Sequence, residues 1–498
     1  MRVATRADLT LEAMDRRHAS FLALVEARLA EDPGALIYGV TTAPGDGAAV
    51  ALTAERAARR PRELWTAASF GEPLPERVAR AIVLARLANF VEGHAAVRGE
   101  VGVAVAEMLG GGPLPAVPAR GNGGAGEILA LGNLFYGLSA AMDLHPKERM
   151  ALVNGSPCAA ALVADVALAG RGRLALAEAL LALAADVLGV PLEHYAPELE
   201  ALWGDEHEAA ALRSLRALLA GSQAERQGHQ APVSFRILPR VLGGTRRAQA
   251  EAEAAAGVSL AAVTDNPVYL PPTADRPLGA IVSTGGYHDT RATTAIDGQA
   301  FAWADLCQLV QRASDKLLQH PATAGLLAPD EWTLKPLHMV QAGWAEEARS
   351  VAQPTLLSLA GFGQNDVASG SFRAWDKAAT IGECLDAALA GLAAMASQAL
   401  HGAGARRAGR RRARGLPAGR RAAPPRRGRR GARGRLQREG AQRRVASTWK
   451  IDMNPIRKPW RAARRYSRHT RTRSAPPSRT ASSRFESKFS AQWRSVSA

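Results

Sequence analysis

Residues 291–319, RATTAIDGQAFAWADLCQLVQRASDKLLQ, decide the fold. Apolar residues recur every three or four positions, so Ile296, Trp303, Leu306, Val310, Ala313 and Leu317 share one helical face, while Asp305, Arg312 and Lys316 fall on the opposite one. A helix of this length runs about 43 Å. Its continuous apolar stripe needs partners of similar length, which is the requirement of a helical bundle.

Such partners are present. Residues 376–400 carry Ile381, Leu385, Leu389 and Leu392 on one stripe. Long Ala/Leu segments at 127–141, 147–170, 173–188 and 205–220 read as helices, as do 9–30 and 337–360. Residues 75–94 start at Pro75, a favoured first-turn position, and put Val78, Ile82, Ala85 and Ala88 on one face. Loops are expected at 39–47 and 108–126, and a short extended stretch with turn signals at 266–288. Strands do not alternate with helices, so a parallel-sheet fold is excluded. The expectation is an all-α protein with a long central helical bundle and a small loop-rich N-terminal region. Its domains would be an N-terminal domain at 1–145, the bundle at 146–401 and a tail at 402–498.

The tail is a different kind of polymer. The chain has 498 residues and a formal net charge of +17. Residues 401–498 hold 30 of its 63 Lys and Arg but 3 of its 46 Asp and Glu, which leaves the first 400 residues mildly acidic. Arg, Ala, Gly and Pro dominate from Gly402, with no apolar period, so the tail cannot bury a core and is expected to be disordered. Three origins compete: an arm that binds nucleic acid non-specifically, a solubility tail, or a GC-rich gene read out of frame. The last is favoured, because a well-patterned helix stops abruptly before it.

Three cysteines in so long a chain exclude a disulfide scaffold. No pair of Cys or His has metal-ligand spacing, so no metal is expected. The N-terminus lacks the apolar run of a signal peptide, and no 18-residue apolar stretch is free of charge, so a cytoplasmic protein without a membrane span is expected.

Several loops carry chemistry-bearing residues. Tyr38, in Tyr38-Gly39-Val40-Thr41-Thr42, can present a phenol as an acid/base or simply pack. Gly121-Asn122-Gly123-Gly124-Ala125-Gly126 formally matches a dinucleotide-binding motif, but three prolines just before it exclude the strand that motif requires. A Gly-rich loop running into a helix still offers free N–H groups and the positive end of a dipole. Asn154-Gly155-Ser156-Pro157 is a turn before a helix. Gln230-Ala231-Pro232-Val233-Ser234-Phe235-Arg236 ends in a guanidinium fork suited to a carboxylate, or to a plain ion pair. Cys158, Cys307 and Cys384 read as core.

The order of these segments says more than any one of them. YGVTT at 38, GEPL at 71, the Gly-rich loop at 121, NGS at 154, the Q-x-P-x-S-x-R loop at 230, TDNP at 264, GGYH at 285 and QNDV at 364 together resemble the histidine and aromatic amino-acid ammonia-lyase family, over about residues 8–400. The resemblance implies an all-α homotetramer that takes a small amino acid and removes its ammonia non-oxidatively, or shifts the amine to the β-carbon. It implies no external cofactor. The family's electrophile is methylidene-imidazolone, a prosthetic group made from an internal Ala-Ser-Gly. By the same resemblance Tyr38 would be the catalytic acid/base, Asn154 would contact substrate or prosthetic group, and Arg236 would clamp the substrate carboxylate. Gln230 and Tyr287 would line the pocket, Thr66 would stand where histidine lyases have a pocket His, and Asn365 would lie near the substrate amine or ring.

The sequence departs from the family at the electrophile. Where the family has Gly-Ala-Ser-Gly-Asp, this chain reads Gly124-Ala125-Gly126-Glu127. The serine whose dehydration makes the methylene is missing, so the prosthetic group is not expected to form. Val233 replaces a second catalytic Tyr. The alternatives to an ordinary ammonia-lyase are a lyase or aminomutase working without the electrophile, with Glu127 as an acid/base, and an inactive relative.

Overall fold

The computed structural model describes residues 2–52, 69–226, 228–320, 336–359 and 363–414. Thr66 and the tail beyond Arg414 lie outside the described residues. Helices dominate: α1 (Arg2–Glu31), α2 (Glu76–Val91), α3 (Gly99–Glu107), α4 (Ile128–Ala141), α5 (Pro146–Val153), α6 (Pro157–Val187), α7 (Glu198–Trp203), α8 (Glu206–Leu219), α9 (Val233–Arg236), α10 (Leu238–Ala261), α11 (Thr290–Gln319), α12 (Leu337–Val351) and α13 (Ser371–Arg414). The described strands make two small antiparallel pairs, β1 (Val268–Leu270) with β2 (Ala280–Val282), and β3 (Ser358–Leu359) with β4 (Val367–Ala368). The all-α expectation holds, and Met1–Pro417 form one compact unit.

The core of that unit is a bundle of α6, α10, α11 and α13, flanked by α2, α8 and α12. The stripes read from the sequence are its contact faces. Ile296, Leu306, Val310, Ala313 and Leu317 are fully buried, as are Ile381, Leu385, Leu389 and Leu392. Each Ile, Leu or Val among them contributes roughly 1.5–3 kcal/mol on removal from water. Cys158, Cys307 and Cys384 are buried free thiols.

The sequence reading misplaces several boundaries. Residues 147–170 and 173–188 do not form two helices. A short helix, α5, ends at Val153, the Asn154-Gly155-Ser156 turn follows, and α6 then runs unbroken from Pro157 to Val187. Its charged residues do not break it because Asp165, Arg171, Arg173 and Glu178 find partners on neighbouring helices and Asp186 pairs with Arg226 in the loop after α8. Arg171 pairs with Glu253, while Arg173 makes two hydrogen bonds to Asp386 and lies 4.5 Å over the Trp303 ring. Helix α10 was not expected, and Gly243-Gly244 interrupts its pattern. Gly243 serves close packing, since a Cβ there would stand 2.8 Å from the Glu208 Cα. Helix α12 ends nine residues short of the expected 360, and α13 runs past 401 to Arg414. Among the described residues, two helical stretches, Pro146–Val187 and Ser371–His401, are long and apolar enough to cross a membrane by composition. The most apolar part of the first is 83% buried inside the protein, the position of a core helix.

Candidate active site

The loops at one end of these helices meet one another directly. Gly45 donates its N–H to the Tyr38 Oη at 3.1 Å. The 45–46 loop is held in turn by Gln364, whose N–H donates to Asp46 Oδ1 at 3.0 Å and whose side-chain amide donates to the Gly45 carbonyl. Just beyond β4, Ser369 donates to the Gly124 carbonyl at 3.2 Å, which ties the segment after Asn365 to the Gly-rich loop. That loop touches the Asn154 turn, since a Cβ on Gly126 would stand 2.9 Å from Asn154 Oδ1. Gly39, next to Tyr38, packs on Met150 of α5 and so closes the ring.

Within the ring is a cavity of about 510 Å³. Tyr38, Ala125, Gly126, Asn154, Tyr287 and Asn365 line it, with Asn266, Ser283, Thr284 and Gln364. The β1–β2 hairpin supplies one wall, fixed by Asn266 Oδ1, which accepts from Ser283 Oγ at 3.1 Å and Thr284 N at 3.0 Å. Of the residues picked from sequence, Tyr38, Asn154, Tyr287, Asn365, Ala125 and Gly126 therefore converge. Gln230 and Arg236 do not line this cavity; Gln230 is exposed and Arg236 half-buried on α9. Gly124 lies on the same loop but not on the wall.

Glu127 turns inward. It holds φ +59° and its carboxylate accepts from the N–H groups of Cys158 and Ala159, at 2.6 and 2.8 Å, in the first turn of α6. There it meets the positive end of the helix dipole. Burial pushes its pKa up to about 7, against the lowering effect of those two N–H groups. The same burial and the nearby Glu127 drive the Cys158 thiol well above its ordinary range.

Beneath Asn154 lies a buried ionic cluster. The Arg86 guanidinium donates to the Asn154 carbonyl at 2.6 Å, to Asn89 Oδ1 at 3.1 Å and to Asp265 Oδ1 at 3.3 Å. Lys147 is fully buried nearby, with no hydrogen-bond partner on its Nζ among the described residues. Burial presses its pKa down to about 8, offset in part by Asp265 and reinforced by Arg86. Asp265, also fully buried, is raised by burial. The sequence reading missed this cluster, although it held a signal: Arg86 follows Ile82 by four positions on an otherwise apolar helical stripe. It also missed Arg28, which lines the cavity and carries no local motif.

Comparison with known proteins agrees with this architecture. The sequence profile of the aromatic amino acid lyase family matches residues 1–140 and 136–417. A histidine ammonia-lyase of Anaeromyxobacter sp. (strain K) is 34% identical over 371 residues, covering 66% of this chain and 71% of that one. A histidine ammonia-lyase of Deinococcus radiodurans is 31% identical over 325 residues, and the match spans 61% of its length. The crystal structure of a tyrosine aminomutase from Streptomyces globisporus superposes with a TM-score of 0.69 at 21% identity, covering 79% of this chain and 83% of that one, which shows a shared fold. That fold is the all-α ammonia-lyase architecture. The chain belongs to the aromatic amino acid lyase family.

Proposed function

We propose that the 510 Å³ cavity takes a histidine-like or aromatic α-amino acid, and that non-oxidative elimination of ammonia is the reaction class for which it is built. The observation that carries this reading is the convergence of Tyr38, Asn154, Tyr287 and Asn365 on one cavity. Tyr38 is the proton-transfer group. As phenolate it takes the β-proton, the C–H electron pair forms the C=C bond, and the C–N bond breaks to release ammonia. The Gly45 N–H aimed at Tyr38 Oη is the partner a phenolate oxygen needs. Asn154 and Asn365 offer amide groups to the substrate amine. Arg236 serves as carboxylate clamp in this scheme only if a second copy of the chain delivers it, as a homotetramer would, because it does not line the cavity of its own chain.

The residues at 124–127 do not fit methylidene-imidazolone. Glycine at 126 has no Cβ substituent to eliminate, and a Cβ there would press on Asn154 Oδ1. This misfit favours a second reading, in which the protein binds its amino acid with slow elimination or none. The test is incubation of the full chain with a panel of amino acids, following ammonia release and alkenoic-acid absorbance, together with near-ultraviolet absorbance and borohydride sensitivity of the protein alone. Ammonia release without the near-ultraviolet chromophore supports elimination without the electrophile. Binding with no ammonia release supports the second reading. Absence of any amino-acid binding overturns both.

A further inference from the structure

We propose that Gln364 and Asp46 are positioning residues for Tyr38, a role that rests on the proton-transfer reading above. They act through Gly45. The Gly45 N–H donates to Tyr38 Oη at 3.1 Å, and a hydrogen bond to the charged form of a phenol lowers its pKa. That N–H stays aimed only while its turn is held, because a glycine in a surface loop is otherwise free to rotate. One residue of a distant segment holds the turn at two points. The Gln364 side-chain amide donates to the Gly45 carbonyl, and the Gln364 N–H donates to Asp46 Oδ1 at 3.0 Å. The same carbonyl accepts from the Ala48 N–H at 3.0 Å, which closes the 45–47 turn.

The approach is close because residue 363 is glycine. It holds φ +68°, and a Cβ there would collide with the Asp46 carboxylate. Asn365 packs on the same turn, since a Cβ on Gly45 would stand 2.9 Å from its Nδ2. Tyr38, Gln364 and Asn365 all line the cavity, so this clasp joins two of its walls. Every bond in it lies within one chain. Other groups bear on the phenol. Arg28 of α1 and the Tyr287 phenol line the same cavity, and the scheme above adds Arg236 from a second copy. Their contribution is common to all the variants below. The Asp46 charge itself opposes ionisation of Tyr38, whereas the clasp favours it. Loss of the charge and loss of the clasp therefore move the phenol in opposite directions.

The experiment is a titration of phenolate absorbance in the full chain, for wild type, Gln364→Ala, Asp46→Asn and Asp46→Ala. Each is read against the same protein carrying Tyr38→Phe, at equal oligomeric state by light scattering. Asp46 and Gln364 are exposed, and melting curves check that each variant folds. Gln364→Ala, which changes no charge, should lower the Tyr38 ionisation constant about 10-fold. Asp46→Ala should lower it less, and Asp46→Asn, which keeps the acceptor, should hold it at or above the wild-type value. A wild-type constant in Gln364→Ala overturns the proposal, even where the melting temperature falls, because the clasp is then purely structural. An equal rise in Asp46→Ala and Asp46→Asn also overturns it, since Asp46 then acts by charge alone. So does a Tyr38 that does not ionise before wild type unfolds. If the chain turns over an amino acid, the limb of the pH–rate profile set by the phenolate should move to higher pH in Gln364→Ala. If no amino acid releases ammonia, the proton-transfer reading falls, while the ionisation constants still decide whether Gln364 and Asp46 hold the phenol.

Discussion

Gly126 and Asn154 face each other so closely that a Cβ on Gly126 would stand 2.9 Å from Asn154 Oδ1 and 3.3 Å from its Cγ. Gly126 also holds φ +71°, a conformation that side-chain-bearing residues adopt at a cost. Restoring a serine by Gly126→Ser should therefore not restore the family's chemistry. The expected outcome is a loss of about 1–3 kcal/mol of stability with no new near-ultraviolet absorbance, read by thermal denaturation and a difference spectrum. A stable variant with a new chromophore would show that the loop can rearrange around residue 126.

The Glu127 carboxylate gives a pH-dependent prediction. Its folded pKa, about 7, lies above the ordinary 4.5 because burial disfavours the charge. Between those values the native state holds a proton that the unfolded state has released. Glu127 therefore supports stability fully below pH 4.5, and that support is lost as pH rises through 7. Glu127→Gln removes the titration. The melting temperature of wild type should fall relative to this variant between pH 4.5 and 7, by the equivalent of at most about 3 kcal/mol. Parallel curves across that window would mean that the carboxylate is better solvated than its burial implies.

The bundle was legible because burial on one side leaves a helical period, as at Ile296–Leu317 and Ile381–Leu392. Helix α10 was not, because Gly243, needed for packing against Glu208, and the Gly244 beside it look like a break. The α6 helix looked divided because the partners of Arg171 and Arg173 lie on α10 and α13, far away in sequence. The candidate site was legible as an ordered series of loop motifs. What sequence order could not supply was distance: Tyr38, Asn154, Tyr287 and Asn365 meet, while Arg236 does not join them within one chain. Arg28 left no mark, since a last-turn arginine resembles any other.

Tyr38→Phe is the direct test of the acid/base. It keeps the ring packing but removes the oxygen that accepts the Gly45 N–H. If the chain turns over an amino acid, the rate should drop about 10²–10⁴-fold, with substrate binding weakened little, in steady-state kinetics against calorimetry. An unchanged rate removes Tyr38 from the chemistry.

Lys147 behaves in the opposite sense to Glu127. Its folded pKa, about 8, lies below the ordinary 10.5, so in that window the unfolded state holds the extra proton and stability rises with pH. Below pH 8 the buried ammonium is a burden, with no hydrogen-bond partner on Nζ among the described residues. Lys147→Met should raise the melting temperature at pH 7, and the advantage should shrink as pH climbs toward 10.5. A variant less stable at pH 7 would show that attraction to Asp265 outweighs the desolvation.

Arg86 and Asp265 separate the worth of a buried pair from the cost of breaking it. Both are fully buried, and Arg86 also holds the Asn154 carbonyl. Arg86→Met leaves Asp265 without its guanidinium and should cost about 3–5 kcal/mol. Adding Asp265→Asn removes a carboxylate left with Lys147 as its cationic neighbour and should recover part of that loss, measured by denaturant unfolding of the two variants and of Asp265→Asn alone. The Asn154 turn should stay loosened in the double variant, because asparagine at 265 cannot replace the hydrogen bond from Arg86. Faster amide exchange at Gly155 and Ser156, with the α11 amides still protected, would report this. If the double variant is as unstable as Arg86→Met, the lost stability lies in the Asn154 and Asn89 hydrogen bonds and not in the ion pair.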